Sequence, residues 1–313
     1  MTGKIVVVAG PTASGKTRLG IELAREFDGE IVSADSMQIY KGMDIGTAKA
    51  DARERAEAVH HMIDIIDPRE DYSVSRYVED AGRVCDDILA RGKLPIVVGG
   101  TGLYIDSLIS GRGFADVAED AELRKSLSRE YDELGGERML ERLRSFDPER
   151  AEKLHPADRR RIVRAIEVYM LTGVTITQHD RQTKLLPKRY DAARIHLNFR
   201  DRAVLYERID RRVDLMVAQG LWGEVERLLT SGVSSSCTAM QAIGYKECVS
   251  ALRGEISREE AEAAIKQNSR RYAKRQLTWF SRTEDALNIL WDKNPDFNEA
   301  RRISTEFLHS FGI

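Results

Sequence analysis

A short apolar run, residues 4–9, leads straight into Gly10-Pro11-Thr12-Ala13-Ser14-Gly15-Lys16-Thr17, and a helical period starts at the end of that segment. No other feature restricts the fold as much. The spacing is GxxxxGK[ST], and it lies where that pattern has physical meaning, after a strand and before a helix. Phosphate oxygens need several converging donors, and such a loop aims backbone N–H groups at them from the partially positive end of a helix. Gly10 and Gly15 permit the tight turn, Lys16 adds a full charge, and Thr17 offers a hydroxyl to Mg2+. Because motif and context agree, residues 10–17 are expected to bind a di- or triphosphate rather than form an ordinary glycine-rich turn.

Short β-branched runs at residues 4–9, 30–33, 61–66, 94–98, 194–199 and 286–291 read as strands. They are mostly apolar throughout, as strands covered on both faces should be. Helical spacing fills residues 17–27 and 74–90 between them. This strand–helix–strand alternation predicts an α/β fold, a P-loop NTPase-like doubly wound parallel sheet. The alternation stops at about residue 113. Helical patterns at 121–134, 137–144 and 158–171 then follow with no strand, so residues 113–190 are expected to form an all-helical insertion domain within a core of residues 1–112 and 191–313. Further helices are expected at 204–219, 224–231 and 258–282.

The 49 basic and 51 acidic residues nearly cancel, leaving a net charge of −2, so any polyanion must be met by a local patch. Two patches qualify. Residues 155–164 hold four arginines against one acid, and residues 266–282 hold six cations and no acid, interleaved with Tyr272, Trp279 and Phe280. The second mixture suits phosphate contacts plus base stacking, although those aromatics could equally be core residues of an amphipathic helix. Cys85, Cys237 and Cys248 are scattered, with no CxxC pair, which argues against a disulfide framework and a zinc module. No apolar stretch approaches the ~18 residues of a membrane span. A cytoplasmic protein with no membrane partner is expected, and a monomer is the default.

Two further segments lie at the expected carboxyl edge of the sheet, where open α/β folds gather ligands. Asp35 follows the second strand; a carboxylate there can take a proton from a nucleophile or hold a magnesium-bound water, or simply cap a turn. Gly99-Gly100-Thr101-Gly102 follows the fourth strand, where Thr101 is either a site hydroxyl or a helix cap. From the residues alone, a P-loop kinase, with Asp35 activating a hydroxyl, and a non-catalytic nucleotide-switch RNA-binding protein both stay open.

The blocks Gly10–Thr17 with Asp35–Tyr40, Lys41-Gly42-Met43-Asp44-Ile45-Gly46-Thr47-Ala48-Lys49, Gly99–Tyr104, Asp210–Leu221 and Gln241-Ala242-Ile243-Gly244-Tyr245-Lys246-Glu247 resemble, in order, the signature blocks of the tRNA dimethylallyltransferase (tRNA isopentenyltransferase) family. The resemblance implies transfer of a dimethylallyl group from dimethylallyl diphosphate to N6 of the adenosine 3′ of a tRNA anticodon. It implies that Gly10, Pro11, Thr12, Ala13, Ser14, Gly15, Lys16 and Thr17 hold the diphosphate with Mg2+, and that Arg212 binds it too. Asp35 becomes the general base on N6, with Thr101 beside it. The segments Asp35, Ser36, Met37, Gln38, then Arg159, Arg160, Arg161, Ile162, Val163, and Gln241, Ala242, Ile243, Gly244, Tyr245, Lys246 match those that contact the tRNA anticodon stem-loop. An adenine amine is out of reach while stacked, so the base must be everted, and a channel between core and insertion domain is expected to receive it.

Overall fold

The computed structural model describes residues 2–111 and 120–313. Strands β1 (Gly3–Ala9), β2 (Gly29–Ala34), β3 (His60–His61), β4 (Leu94–Gly99), β5 (Tyr190–Phe199) and β6 (Ala286–Trp291) form one sheet in the order β3-β2-β4-β1-β5-β6. Every pairing is parallel. Side chains alternate along β1: Val6 and Val8 enter the core on one face, while Ile5, Val7 and Ala9 enter the core on the other. All five are fully buried, as the unbroken apolar pattern requires.

One expected strand is much shorter than its apolar run. Residues 61–66 read as β-branched, yet pairing ends at His61 because Met62 and Asp64 adopt left-handed backbone (φ 61° and 56°). A left-handed residue cannot continue a ladder. Ile66 instead makes an isolated bridge to Tyr40. At the other flank β5 starts at Tyr190, four residues before the β-branched signal, because Gly3 through Ala9 continue to supply it with a partner edge.

Helix α1 (Lys16–Glu26) connects β1 to β2 and lays Leu19, Gly20, Ile21, Leu23 and Ala24 inward. Gly20 is needed there, since a Cβ would strike the Val98 side chain. Then come α2 (Ala52–Glu57), α3 (Val74–Ala90) and α4 (Gly102–Ser110). The chain divides into two compact units, Met1–Ile109 with Arg189–Ile313, and Ser110–Lys188. The domain boundary expected at 112/113 falls outside the described residues.

The second unit holds α5 (Ala121–Leu134), α6 (Gly136–Arg144), α7 (Pro148–Glu152), α8 (Arg159–Thr172) and α9 (Ile176–Lys184), and no strand among its described residues. It has its own core of Leu127, Met139, Leu140, Leu143, Ile162, Val163 and Ile166. After β5 the first unit continues with α10 (Arg202–Ala218), α11 (Leu221–Thr230), α12 (Tyr245–Leu252), α13 (Arg258–Phe280) and α14 (Phe297–Ser310). The chain leaves β1 toward β2 on one side and leaves β4 toward β5 on the other. The carboxyl ends of β1 and β4 therefore flank the topological switch point, where such sheets bind ligands.

Candidate active site

A cavity of about 1090 Å³ opens at that switch point in the first unit, and Thr12, Lys16, Thr17, Asp35, Arg208 and Arg212 are among the residues lining it. The loop from β1 to α1 is shaped by its glycines. A Cβ on Gly10 would collide with the Leu197 carbonyl, and Gly15, at φ 90°, caps α1 with no side-chain hydrogen bond. The first N–H groups of α1 are thus left for a ligand. Ser14 is fully buried with an unpartnered hydroxyl, while its carbonyl accepts from Trp291 Nε1 at 2.9 Å.

Three cations converge on the loop and, among the described residues, bond only to neutral oxygens. Lys16 Nζ donates to the Pro11 carbonyl (2.7 Å), Arg208 Nε to the Ala13 carbonyl (3.2 Å), and Arg212 Nη1 to Thr12 Oγ1 (3.3 Å). Burial and the nearby Arg212 guanidinium bring the Lys16 ammonium down to about 7, against a smaller opposing pull from Asp35. Burial lowers Arg212 as well. Like charges held close together at buried positions favour an arriving anion. Arg208 was not singled out from the sequence, although its i, i+4 spacing to Arg212 puts both on one face of α10 and was the available signal.

Asp35 stands just beyond β2. Its Oδ1 accepts from Met37 N (2.9 Å), an Asx turn that fixes the carboxylate at the cavity wall. The turn reading of this residue holds, and the turn uses one carboxylate oxygen, leaving the other without a hydrogen bond among the described residues. The Thr101 carbonyl accepts from Tyr104 N and Ile105 N at the start of α4, and its hydroxyl accepts from Ser36 N at 3.2 Å and so ties the turn after β4 to the turn that carries Asp35. Gly99, Gly100 and Gly102 do more than clear space around it: Cβ atoms there would collide with the Ala34 carbonyl, Gln276 and Trp279 respectively. Gln38 accepts from Ser33 Oγ (3.0 Å) and donates to the Thr47 and Ala48 carbonyls.

Several expected RNA contacts are core residues in the structure. Ile162 and Val163 pack inside the helical unit, and Ala242 and Tyr245 pack inside a core formed by α11, α12 and the segment after β2. Of residues 241–246, only Gln241 and Lys246 are exposed. The Tyr245 hydroxyl donates to the buried Glu224 carboxylate (2.5 Å), which also accepts from the backbone N–H groups of Asp44, Ile45 and Gly46 at 2.8–3.1 Å. That pin, invisible in the sequence because its partners lie 178–180 residues apart, shapes the loop on which Gln38 rests.

The basic patches are also thinner than their sequences. On α8, Arg159 pairs with Asp132 (2.6 Å) and Arg164 with buried Glu167 (2.9 Å), Arg161 lies 3.8 Å from Asp158, and exposed Arg160 has no ion pair among the described residues. On α13, Lys266 and Arg270 pair with Asp214 and Asp210 of α10 (both 2.5 Å). Phe280 is buried and Tyr272 faces the cavity, which leaves Trp279 exposed with its Nε1 donating to Asp106 (2.8 Å). Of the three aromatics, only Phe280 is a core residue of the amphipathic helix.

A family model described as IPP transferase matches residues 38–283, and one described as isopentenyl transferase matches residues 3–62. The tRNA dimethylallyltransferase of Acetivibrio thermocellus is 48% identical over 312 residues, covering 99% of this chain and 98% of the relative. That of Thermoanaerobacter sp. strain X514 is 46% identical over 309 residues, 98% of each chain. Among solved structures, the full-length tRNA isopentenylpyrophosphate transferase of Bacillus halodurans matches with a TM-score of 0.73 at 38% identity, over 99% of this chain and 98% of that one. A eukaryotic dimethylallyltransferase acting on tRNA matches with a TM-score of 0.82 at 29% identity, over 98% of this chain and 80% of that one.

Proposed function

The chain belongs to the IPP transferase family, and on that premise we propose that it transfers a dimethylallyl group from dimethylallyl diphosphate to N6 of the adenosine 3′-adjacent to the anticodon of tRNA, in the cytoplasm. The observation that carries this reading is that Lys16, Arg208, Arg212 and the anchored Asp35 carboxylate line the same cavity. The cations suit a leaving group, the carboxylate a nucleophile.

In the reaction the bond between C1 of the allyl group and the diphosphate oxygen breaks, and a bond from N6 to C1 forms. The N6 proton goes to Asp35, and diphosphate departs as the anion. The loop N–H groups, Lys16, Arg208 and Arg212 stabilise the charge that grows on the departing oxygens. Preorganised donors of this kind are worth roughly 3–4 kcal/mol each in measured enzymes. The Asp35 oxygen left outside the Asx turn accepts the N6 hydrogen bond, which strengthens a nucleophile whose lone pair is otherwise delocalised into the ring. Thr101 keeps that carboxylate's turn in place.

Mg2+ fits the donor set. Thr17 lines the cavity, and its hydroxyl makes no hydrogen bond among the described residues. A hydroxyl is a hard oxygen ligand of the kind Mg2+ takes beside phosphate and water. When bound, it would add neutralising charge to the diphosphate. For the RNA, Arg160 and the exposed Arg271, Lys274 and Arg275 of α13 offer cations to backbone phosphates.

Incubating the protein with dimethylallyl diphosphate, Mg2+ and bulk tRNA, followed by mass spectrometry of anticodon-loop fragments, tests the proposal. A five-carbon adduct on the adenosine supports it. No adduct, with an ATP-dependent phosphorylated metabolite instead, assigns the same cavity to a kinase.

A further inference from the structure

Gln276 lies on α13, in a stretch whose sequence reads only as a basic helix, and it is 5% exposed. Its amide reaches two separate parts of the site. Oε1 accepts from the Thr12 backbone N–H at 2.9 Å, and Nε2 donates to the Gly100 carbonyl at 3.0 Å. Thr12 belongs to the diphosphate loop, and its hydroxyl is the acceptor for Arg212. Gly100 precedes Thr101, whose hydroxyl holds the turn of Asp35. One rigid amide therefore spans the leaving-group side and the nucleophile side of the cavity. Tyr272, one turn earlier on the same helix, also sits beside Thr101 and Gln276.

We propose that Gln276 is a positioning residue that fixes the separation between the diphosphate cradle and the Asp35–Thr101 turn. The inference rests on the transfer reaction proposed above. Each substrate is held mainly by its own half of the site. Displacing the halves should therefore leave both affinities nearly intact and slow the step in which the halves act together. Misplacement of reacting groups by about 1 Å costs on the order of 10²-fold in rate.

Gln276→Met keeps the length of the side chain and removes both hydrogen bonds. The expected result is a fall of about 10²-fold in the single-turnover rate with both substrates saturating. The dissociation constants for tRNA and for an unreactive thio analogue of the diphosphate should change less than about threefold, a shift well below one factor of ten in binding. A rate near wild type overturns the proposal, as does a rate loss matched by an equal loss of properly folded, substrate-binding protein.

Gln276→Glu gives an independent readout if the Met variant folds poorly. A protonated carboxyl both accepts from Thr12 N–H and donates to the Gly100 carbonyl, whereas a carboxylate only accepts. Lys16, Asp35, Arg208, Arg212 and Tyr272 share the cavity and are the same in both proteins, so the ratio of variant to wild-type rate isolates position 276. That ratio should fall as pH rises; a flat ratio refutes the bridging role. Wild-type protein run alongside separates the two ideas, because absence of any adduct from wild type defeats the transfer reaction itself.

Discussion

The cations of the diphosphate loop and those of the helical unit are held in opposite ways. Lys16, Arg208 and Arg212 bond to two carbonyls and a hydroxyl, with no carboxylate inside ion-pair distance among the described residues. Arg142, Arg159 and Arg164 bond to Glu130, Asp132 and Glu167. A cation on a neutral oxygen keeps its charge for a ligand; one on a carboxylate is largely cancelled. In the sequence these cations look alike, and only their partners separate one whose charge is left for a ligand from one already compensated.

The sharpest way to break this contrast is to remove one cation from each class. Arg212→Ala should lower the single-turnover transfer rate by about 10²–10³-fold, the loss typical of a deleted charge-stabilising donor. Arg142→Ala, which breaks a paired arginine 36% exposed, should stay within about twofold, as surface ion pairs contribute little. Equal losses would show that pairing does not decide function. Asp35→Ala belongs with the large effects, at about 10²–10⁴-fold in kcat with tRNA affinity retained. Unchanged single-turnover rates would remove Asp35 from the role of base.

Lys16 yields a pH test with a definite sign. Its folded value, about 7, lies below the ordinary lysine value of 10.5, so the free site is largely neutral at this position above pH 7. A bound diphosphate restores the charged form, which means that binding takes up a proton. Donor affinity should weaken as pH rises above about 7, by at most tenfold per pH unit for one coupled proton. Calorimetry in buffers of different protonation enthalpy measures that proton. Lys16→Met should abolish the uptake; an unchanged uptake would assign it elsewhere.

How much of this was legible in the sequence follows from the range of the interactions involved. The loop at 10–17, the strand bearing Asp35 and the all-helical stretch could be read because each depends on neighbours within one turn or strand. Arg208 was half legible, through its helical spacing to Arg212. Gln276, Glu224 and Tyr245 were not, because each acts on residues 21 to 264 positions away, and a glutamine in a basic helix carries no local sign of being buried. The third strand failed for a local reason that periodicity ignores, the left-handed residues Met62 and Asp64. Within residues 241–246 the sequence does not distinguish Tyr245, a buried pin on Glu224, from Gln241 and Lys246, which stay exposed.

That pin supplies a smaller test. Glu224→Gln keeps the shape but weakens hydrogen bonds to three backbone N–H groups and Tyr245. Charge-assisted bonds of this sort contribute about 1.5–3 kcal/mol each at most, so the denaturation midpoint should fall clearly. The Michaelis constant for the donor should rise only modestly, because Gln38 and the loop at 44–48 line the cavity without touching the cradle. A stability loss with no change in the Michaelis constant would confine Glu224 to folding.

The smallest expected effect is the most direct on the contrast between paired and unpaired cations. Arg124, Arg159, Arg160 and Arg164 line a second cavity of about 500 Å³ inside the helical unit, and Arg160 alone of the α8 arginines there has no acidic partner among the described residues. If it meets an RNA phosphate, Arg160→Ala should reduce the slope of log affinity against log salt by about one, and weaken tRNA binding uniformly across sequences. Arg159→Ala should change the slope less, because releasing Asp132 exposes a carboxylate whose repulsion of the RNA lowers affinity with little gain or loss of condensed counterions. Measuring both slopes by fluorescence anisotropy over the same salt range compares a free cation with a paired one on a single helix. Identical slopes for the two variants and wild type would place Arg159 and Arg160 outside the RNA interface.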